Sequence, residues 1–286
     1  MILIERLIVI GTGLMGASVA AAAKAHQVAK DVVGIDAVGA SAAQSLGFVD
    51  ASYASLASVP ESAGLTGIVV ATPVTAMPHL FEEIEAFNQR QPVAWATDIA
   101  SSKAGVIKAA THFVAMRSRF VSSHPMTGSE KQGAAHASAA LFNGARVLIC
   151  KFPDTAEQTM LDVEAFWVAI GGQPNQLPLE DHDPLLAVIS HLPHALAFSL
   201  AGSIGQSSLA GVAQALHGGG LRDTTRVAAS SPELWADIFL DNRESLLAAW
   251  QQWSLHQQAL LTALDQSDRA MLIDLMDRAA HWRRGF

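Results

Sequence analysis

Short apolar runs alternate with segments of helical character through the first half of the 286-residue chain. The runs are Leu7–Ile10, Val32–Asp36, Leu65–Ala71, Val93–Asp98, Arg119–His124 and Arg146–Cys150. Runs of this length separated by helices predict an α/β domain with a mostly parallel, doubly wound sheet. In such sheets the ligand crevice lies outside the carboxyl ends of the strands. Thr72, Asp98 and His124 stand at such ends and are therefore candidate functional residues.

The pattern changes beyond about Pro178, where strand-like runs give way to long segments rich in Ala and Leu. These segments, at Leu185–Ser203, Pro232–Ala263 and Ser267–Arg284, predict helices that are apolar on more than one face. The sequence thus predicts a Rossmann-type domain over residues 1–177 and an all-helical domain over 178–286. Helices of this kind must bury several faces, which favours a homodimer over a monomer whose helices fold back on its own sheet.

A glycine turn follows the first apolar run and reads Gly11-Thr12-Gly13-Leu14-Met15-Gly16. Gly11 permits a tight turn, Gly13 leaves room for a pyrophosphate, and Gly16 lets the following helix pack closely on the strand. Leu14 and Met15 would begin that helix, whose amides face the phosphates. The next apolar run ends at Asp36, where a carboxylate can accept hydrogen bonds from ribose hydroxyls. Strand, turn, helix and acid together predict a dinucleotide site.

The cofactor is predicted to be NAD rather than NADP. A carboxylate at Asp36 would repel a 2′-phosphate, and Arg90 is the only Arg or Lys between Asp36 and Lys103. We expect Thr72 and Asp98, at two further strand ends, to contribute to the same cofactor site.

Composition and charge exclude several other classes of protein. Half of the residues are hydrophobic and the formal net charge is −8, which argues against a nucleic-acid partner. No apolar run reaches the length of a membrane span, and the first residues resemble neither a signal nor a transit peptide. The single cysteine, Cys150, lies in an apolar run and is expected to be a buried thiol in a cytoplasmic protein.

The segment His124-Pro125-Met126-Thr127-Gly128-Ser129-Glu130 follows a strand end that should face a bound nicotinamide. A histidine there can take a proton from a substrate hydroxyl while hydride leaves the same carbon. His191 and His194 are spaced like a metal pair, but no Cys, Asp or Glu supplies a third ligand at a recognised spacing, so we expect no metal.

Five segments together resemble the prephenate/arogenate (cyclohexadienyl) dehydrogenases of tyrosine biosynthesis. They are GTGLMGAS, DIASSK, HPMTGSEKQG, the His182-Asp183 pair with SHLPH, and GGGLRDTTR with SSPELWADIFLDN, in that order along the chain. The resemblance implies a Rossmann-type domain followed by a helical dimerisation domain. It also implies an oxidoreductase for a cyclohexadienol: hydride passes to NAD⁺, a base takes the hydroxyl proton, and CO₂ leaves as the ring becomes aromatic.

The resemblance also implies a role for individual residues. His124 would be the base, and Ser101 would bond the same hydroxyl or orient the histidine. Arg226 would hold the ring carboxylate and Asp223 would orient its guanidinium. His194 would lie near the substrate side chain and Glu130 at the mouth of the site. An acid at position 129 would favour the ammonium group of arogenate, so the neutral Ser129 favours prephenate, but the neighbouring Glu130 leaves the choice open. Any feedback by tyrosine is expected at the active site, since little chain follows the helical domain.

Other interpretations of these residues and of the chain remain open. His191 is equally consistent with packing and with function, and His182-Asp183 reads as an ordinary helix start with Asp183 as its N-cap. A β-hydroxyacid dehydrogenase or imine reductase would also carry the glycine turn. Those enzymes typically need a lysine in the helical domain, and residues 178–286 contain none. A non-catalytic NAD-binding regulator would not need His124, Ser101 and Arg226 together.

Overall fold

The computed structural model describes residues 4–37, 40–128 and 131–285 and divides the chain into two compact units. The first unit combines residues 1–183 with 229–241, and the second combines 184–228 with 242–286.

One eight-stranded sheet forms the centre of the first unit. Its strands are β1 Ile4–Ile10, β2 Ala29–Ile35, β3 Ala51–Tyr53, β4 Thr66–Val70, β5 Val93–Asp98, β6 Phe120–Pro125, β7 Arg146–Lys151 and β8 Gln173–Gln176. The spatial order is β3-β2-β1-β4-β5-β6-β7-β8. All neighbours are parallel except β6 and β7, which are antiparallel. The mostly parallel, doubly wound sheet is therefore confirmed.

Helices cover both faces of this sheet. The helices of this unit are α1 Leu14–Ala25, α2 Ala40–Ser45, α3 Met77–Arg90, α4 Ala104–Ala110, α5 Glu157–Ala169 and, from a later stretch of the chain, α10 Pro232–Asp241. Helix α6, Leu179–Leu186, begins in the first unit and ends in the second. Alternate residues of a strand point to opposite faces. Leu7 and Val9 accordingly belong to the hydrophobic cluster that includes α1 and α5, while Ile8 and Ile10 belong to the one that includes α3 and α4.

Cys150 lies in β7 with no exposed surface, as expected for a core thiol. Burial raises the pKa of its thiol to about 11, so the thiol stays protonated at neutral pH.

The second unit is helical. Its helices are α7 Leu192–Gly205, α8 Ala210–Leu216, α9 Gly219–Thr225, α11 Arg243–Asp265 and α12 Arg269–Arg283, and a π-helical segment, Ala187–His191, precedes α7. Few of their side chains are buried within one chain. In α11 only Leu246, Ala249 and Ala263 are buried, and α12 buries none. Large apolar side chains such as Leu255 and Trp282 are exposed.

The structure differs from the sequence expectation in several elements. The short strands β3 and β8 were not predicted, because both are partly exposed and lack a continuous apolar run. The long segment Pro232–Ala263 is broken at Asn242 into α10 and α11. Leu179–Gly205 forms one helical stretch that, by length and composition alone, is long and apolar enough to cross a membrane. The expectation that no segment reaches this length is therefore wrong, although a single such helix is weak evidence for a membrane.

Candidate functional site

The turn after β1 has the geometry that the glycine pattern predicts. Gly11 has φ +88°, and its amide donates to the Ile35 carbonyl over 2.7 Å. A Cβ atom at this position would lie 2.6 Å from the Ala71 carbonyl oxygen. Only glycine fits, because both the backbone angle and the close approach of the β4 end exclude a side chain.

The helix α1 begins directly at this turn. A Cβ atom on Gly16 would overlap the Gly11 carbonyl, so Gly16 sets how closely the helix packs on the turn. A Cβ atom on Gly13 would meet nothing within 4 Å, and Gly13 caps α1 without any side-chain bond. Leu14 and Met15 are half-buried in the first turn. Open space beside uncapped first-turn amides suits a pyrophosphate.

Two polar groups lie near this turn at strand ends. Asp36 Oδ2 accepts hydrogen bonds from the Thr12 amide over 2.9 Å and from the Thr12 hydroxyl over 3.1 Å. The Thr72 hydroxyl oxygen, just after β4, is buried and has no hydrogen-bond partner among the described residues. A buried hydroxyl without a partner is costly. The Thr72 hydroxyl is therefore suited to form a hydrogen bond with a ligand. Together with the glycine turn and the Asp36 carboxylate, it fits a dinucleotide site.

Asp98, at the end of β5, has a different role from the one predicted. Its side chain has no exposed surface and accepts bonds from the Lys103 ammonium at 2.7 Å, the Ala100 amide at 2.9 Å and the Ser122 hydroxyl at 2.6 Å. Lys103 is equally buried and also donates to the Ala100 and Ser123 carbonyls. The prediction that Asp98 binds the cofactor is wrong, because internal partners occupy both of its oxygens.

His124 lies in β6, opposite Leu148 of β7, and is 8% exposed. Its Nδ1 is 3.0 Å from Nε2 of His182, a fully buried residue of α6. His182 Nδ1 in turn is 2.8 Å from Asp183 Oδ1. The three side chains form a continuous hydrogen-bonded row that begins at the strand end.

Asp183 is fixed by further contacts. Its two oxygens also accept hydrogen bonds from the backbone amides of Lys103 and Ala104, each over 2.8 Å, at the start of α4. The expectation that His182-Asp183 starts a helix and that Asp183 caps it is wrong. Both residues lie inside α6, which begins at Leu179, and Asp183 instead binds the start of a different helix.

The charges in this row follow from its surroundings. Burial, reinforced by the positive charge of Lys103, lowers the pKa of His182 despite its hydrogen bond to Asp183. Burial also tends to raise the pKa of Asp183, but the hydrogen bonds from His182 and from the Lys103 and Ala104 amides outweigh it, so the net shift is downward. At neutral pH His182 is therefore neutral and Asp183 is a carboxylate.

Ser101 lies in the loop after β5 and is half-buried. Its hydroxyl makes no hydrogen bond within residues 4–37, 40–128 and 131–285, which leaves it available to a ligand. Ser129 and Glu130 lie outside the described residues.

In the second unit His194 and Arg226 lie close enough to interact. His194 Nδ1 is 2.8 Å from the Ser190 carbonyl, so this nitrogen carries the proton. Burial lowers the pKa of His194, and the positive charge of Arg226 lowers it further. Arg226 is exposed at the end of α9 and makes no ion pair in the part of the chain that the structure describes.

Asp223 forms no ion pair with Arg226 among the described residues. It pairs with Arg222 instead, over 3.2 Å, and both side chains of this pair are largely exposed. A role of Asp223 in orienting Arg226 therefore has no support from this contact and stays a prediction. His191 is 1% exposed and its Nδ1 is 3.0 Å from the Asn242 amide nitrogen, which supports the packing interpretation.

Sequence reasoning missed the contact between His124 and His182. The His182-Asp183 dipeptide was visible as part of the family resemblance, but 58 residues separate His182 from His124. No local spacing signals a contact over that distance.

Comparisons with known proteins agree with this arrangement. Residues 19–176 match the family described as "Prephenate dehydrogenase, nucleotide-binding domain", and residues 178–278 match "Prephenate dehydrogenase, dimerization domain". A prephenate dehydrogenase of Bacillus subtilis is 31% identical over 98% of this chain and 76% of its own length. A cyclohexadienyl dehydrogenase of Zymomonas mobilis is 29% identical over 96% of this chain and 93% of its own.

A solved structure shows the same fold. Prephenate dehydrogenase from A. aeolicus, in complex with hydroxyphenyl propionate and NAD⁺, has a TM-score of 0.86 at 26% identity over 98% of both chains. The dinucleotide turn, the histidine at the end of β6 and both family matches lead to one conclusion: this chain belongs to the prephenate dehydrogenase family.

Proposed function

We propose that this chain catalyses the NAD⁺-dependent oxidative decarboxylation of prephenate to 4-hydroxyphenylpyruvate in tyrosine biosynthesis, and that arogenate is a second substrate. The observation that carries the proposal is the buried His124 at a strand end of the same unit that presents the dinucleotide turn. The names of the relatives in Bacillus subtilis and Zymomonas mobilis support the substrate class.

The cofactor proposed for this chain is NAD, which when bound supplies the hydride acceptor. Gly11, Gly13 and Gly16 shape the turn for the pyrophosphate. The Asp36 carboxylate would accept hydrogen bonds from the ribose hydroxyls. Thr72 offers a buried hydroxyl that lacks a partner among the described residues. The NAD⁺ in the A. aeolicus structure supports this choice.

His124 is the proposed general base and Ser101 the residue that orients the substrate hydroxyl. In a neutral imidazole one nitrogen donates and the other accepts. Since Nδ1 of His124 faces His182, Nε2 is the atom that would take the hydroxyl proton. The Ser101 hydroxyl, which has no partner among the described residues, can donate to or accept from the same substrate oxygen.

Arg226, with His194 near it, is the residue proposed to bind the anionic substrate. A guanidinium pairs with a carboxylate in a bidentate manner, and Arg226 has no competing ion pair within the described part of the chain. Contacts of Ser129 and Glu130 with the substrate stay predictions.

A β-hydroxyacid dehydrogenase is the less favoured alternative. A 3-hydroxyisobutyrate dehydrogenase shares only the fold, at 12% identity and a TM-score of 0.56. The absence of lysine from residues 178–286 also counts against that group.

The proposed organisation is a cytoplasmic homodimer with a dinucleotide-binding domain over 1–177 and a helical domain over 178–286. The exposed apolar side chains of α11 and α12 support pairing, as does the name of the dimerization-domain family. The buried, lone Cys150 is consistent with a reducing compartment.

The direct test is to add prephenate and NAD⁺ to the purified chain and follow NADH absorbance. Prephenate-dependent NADH formation with release of CO₂ is expected, and parallel assays with arogenate and with 3-hydroxyisobutyrate rank the substrates. Turnover of 3-hydroxyisobutyrate without turnover of either cyclohexadienol would overturn the proposal.

A further inference from the structure

The row from His124 through His182 to Asp183 fixes where each proton lies. The Asp183 carboxylate can only accept, so the proton between it and His182 resides on His182 Nδ1. The neutral His182 ring therefore has its lone pair on Nε2, which must accept from Nδ1–H of His124. The neutral His124 ring is thereby held with its lone pair on Nε2.

We propose that His182 and Asp183 are positioning residues that hold His124 in this tautomer and stabilise the imidazolium that forms when it accepts a proton. The inference rests on the proposed function of His124 as the base. In the step itself, the O–H bond of the substrate breaks and an N–H bond forms at Nε2 of His124. The positive charge that appears on His124 is shared through Nδ1–H with His182, whose ring is polarised by Asp183.

Asp183 supplies the negative charge that contacts His182 directly. Lys103 lowers the pKa of His182 and Asp98 raises it, and these two side chains form a buried pair of opposite charges 2.7 Å apart. Asp183 is held by two backbone amides in addition to His182, so it cannot rotate away. The negative charge of Asp183 therefore stays next to His182, where it favours a cation on the two imidazoles.

Two substitutions of His182 separate the two hydrogen bonds that it makes. An amide nitrogen in His182→Asn can replace Nδ1 and keep the bond to Asp183, but it leaves His124 without its acceptor. The longer His182→Gln can place an amide oxygen near the position of Nε2 and accept from His124. We expect kcat for prephenate to fall at least about tenfold in His182→Asn, as part of the general-base contribution is lost. His182→Gln should recover part of that loss, and KM for NAD⁺ should stay the same in both.

His136→Asn is the matched control, because His136 is an exposed histidine of the same unit. Its kcat should equal that of the unmodified chain. Equal kcat values for His182→Asn and the control would overturn the proposal.

Asp183→Asn removes the charge and keeps an acceptor oxygen for His182 and the Lys103 amide, while the Ala104 amide loses its acceptor. Removal of the negative charge disfavours the protonated form of His124, so its pKa should fall and the acid limb of the kcat profile should move to lower pH. If Asp183 served only to hold the start of α4, the midpoint of the acid limb of the kcat profile would not change. The double variant His182→Asn/Asp183→Asn should lose no more activity than His182→Asn alone, since Asp183 acts through His182.

A titration of ¹⁵N-labelled histidine by NMR measures the His124 pKa in the folded chain without any turnover. A lower pKa in Asp183→Asn, together with absence of prephenate turnover by the unmodified chain, would reject the proposed function but retain the hydrogen-bonded row. Normal turnover of the unmodified chain with the same His124 pKa in Asp183→Asn would reject the row and retain the function.

Discussion

The carboxylate of Asp36 accepts hydrogen bonds from both the amide and the hydroxyl of Thr12, over 2.9 and 3.1 Å. These two bonds join the end of β2 to the glycine turn. The contact fixes the orientation of the carboxylate that is proposed to select the cofactor. It also means that Asp36 has a structural partner, so its substitution must keep an acceptor for the buried Thr12 amide.

Asp36→Asn keeps that acceptor and removes the charge. We expect the preference for NAD⁺ over NADP⁺ in kcat/KM to narrow about tenfold, which corresponds to roughly 1.4 kcal/mol, because a 2′-phosphate no longer meets a carboxylate. Steady-state kinetics with both cofactors measure the ratio. Glu61→Gln, an exposed change of the same charge in the same unit, should leave it unaltered. Comparable kcat/KM for both cofactors in the unmodified chain would contradict the role of Asp36.

His124→Asn should lower kcat about 10²- to 10⁴-fold, the usual contribution of a general base, while NAD⁺ binding stays intact. In the unmodified chain kcat/KM should fall at acid pH, because a protonated His124 cannot accept the hydroxyl proton. Stopped assays with prephenate and NAD⁺ titrations monitored by tryptophan fluorescence measure the two effects. His112→Asn, at an exposed position, is the control. Near-normal kcat in His124→Asn would rule out this base.

Arg226→Ala should raise KM for prephenate at least about tenfold, because one charge-assisted contact contributes about 1.5–3 kcal/mol. The carboxylate is fully charged in the bound ground state and loses charge as CO₂ leaves, so kcat should change less than KM. The control is Arg222→Ala, because Arg222 is already paired with Asp223. An equal effect of the two substitutions would mean that the carboxylate site lies elsewhere.

Lys103→Met should destabilise the chain by about 3–5 kcal/mol, because it leaves Asp98 as a buried charge without its ionic partner. Urea unfolding followed by the fluorescence of buried Trp95 and Trp167 reports on the same unit. Lys108→Met, at an exposed position of α4, should change the stability by less than about 0.5 kcal/mol. A similar unfolding midpoint for both variants would show that the pair contributes little.

A homodimer should have twice the 30.1 kDa mass of the chain. The exposed apolar side chains of α11 and α12 would otherwise meet water. Light scattering at micromolar concentration measures the mass, and Leu255→Glu should shift the protein towards monomer if α11 lies in the interface. A monomer mass for the unmodified chain would exclude the dimer under those conditions.

The sequence predicted the elements whose signals are local. Strand β5 begins at Val93 and ends at Asp98, as its apolar run indicates, and Gly11 adopts the positive φ that the glycine pattern requires. Such signals depend on neighbours within a few residues, where backbone sterics and side-chain periodicity act directly. The helical second half was predicted for the same reason, although the break at Asn242 was not.

The tertiary structure alone decided which polar groups meet. Asp98 lies at a strand end where a ligand contact was expected. Its carboxylate oxygens instead accept hydrogen bonds from Lys103 and Ser122. His182 looked like part of a helix start, but the packing of α6 brings it to His124. The sequence by itself determined the dinucleotide turn, the doubly wound sheet and the family. The partners of its buried charges depended on packing between residues distant in the chain, because each must find a hydrogen bond wherever folding places it.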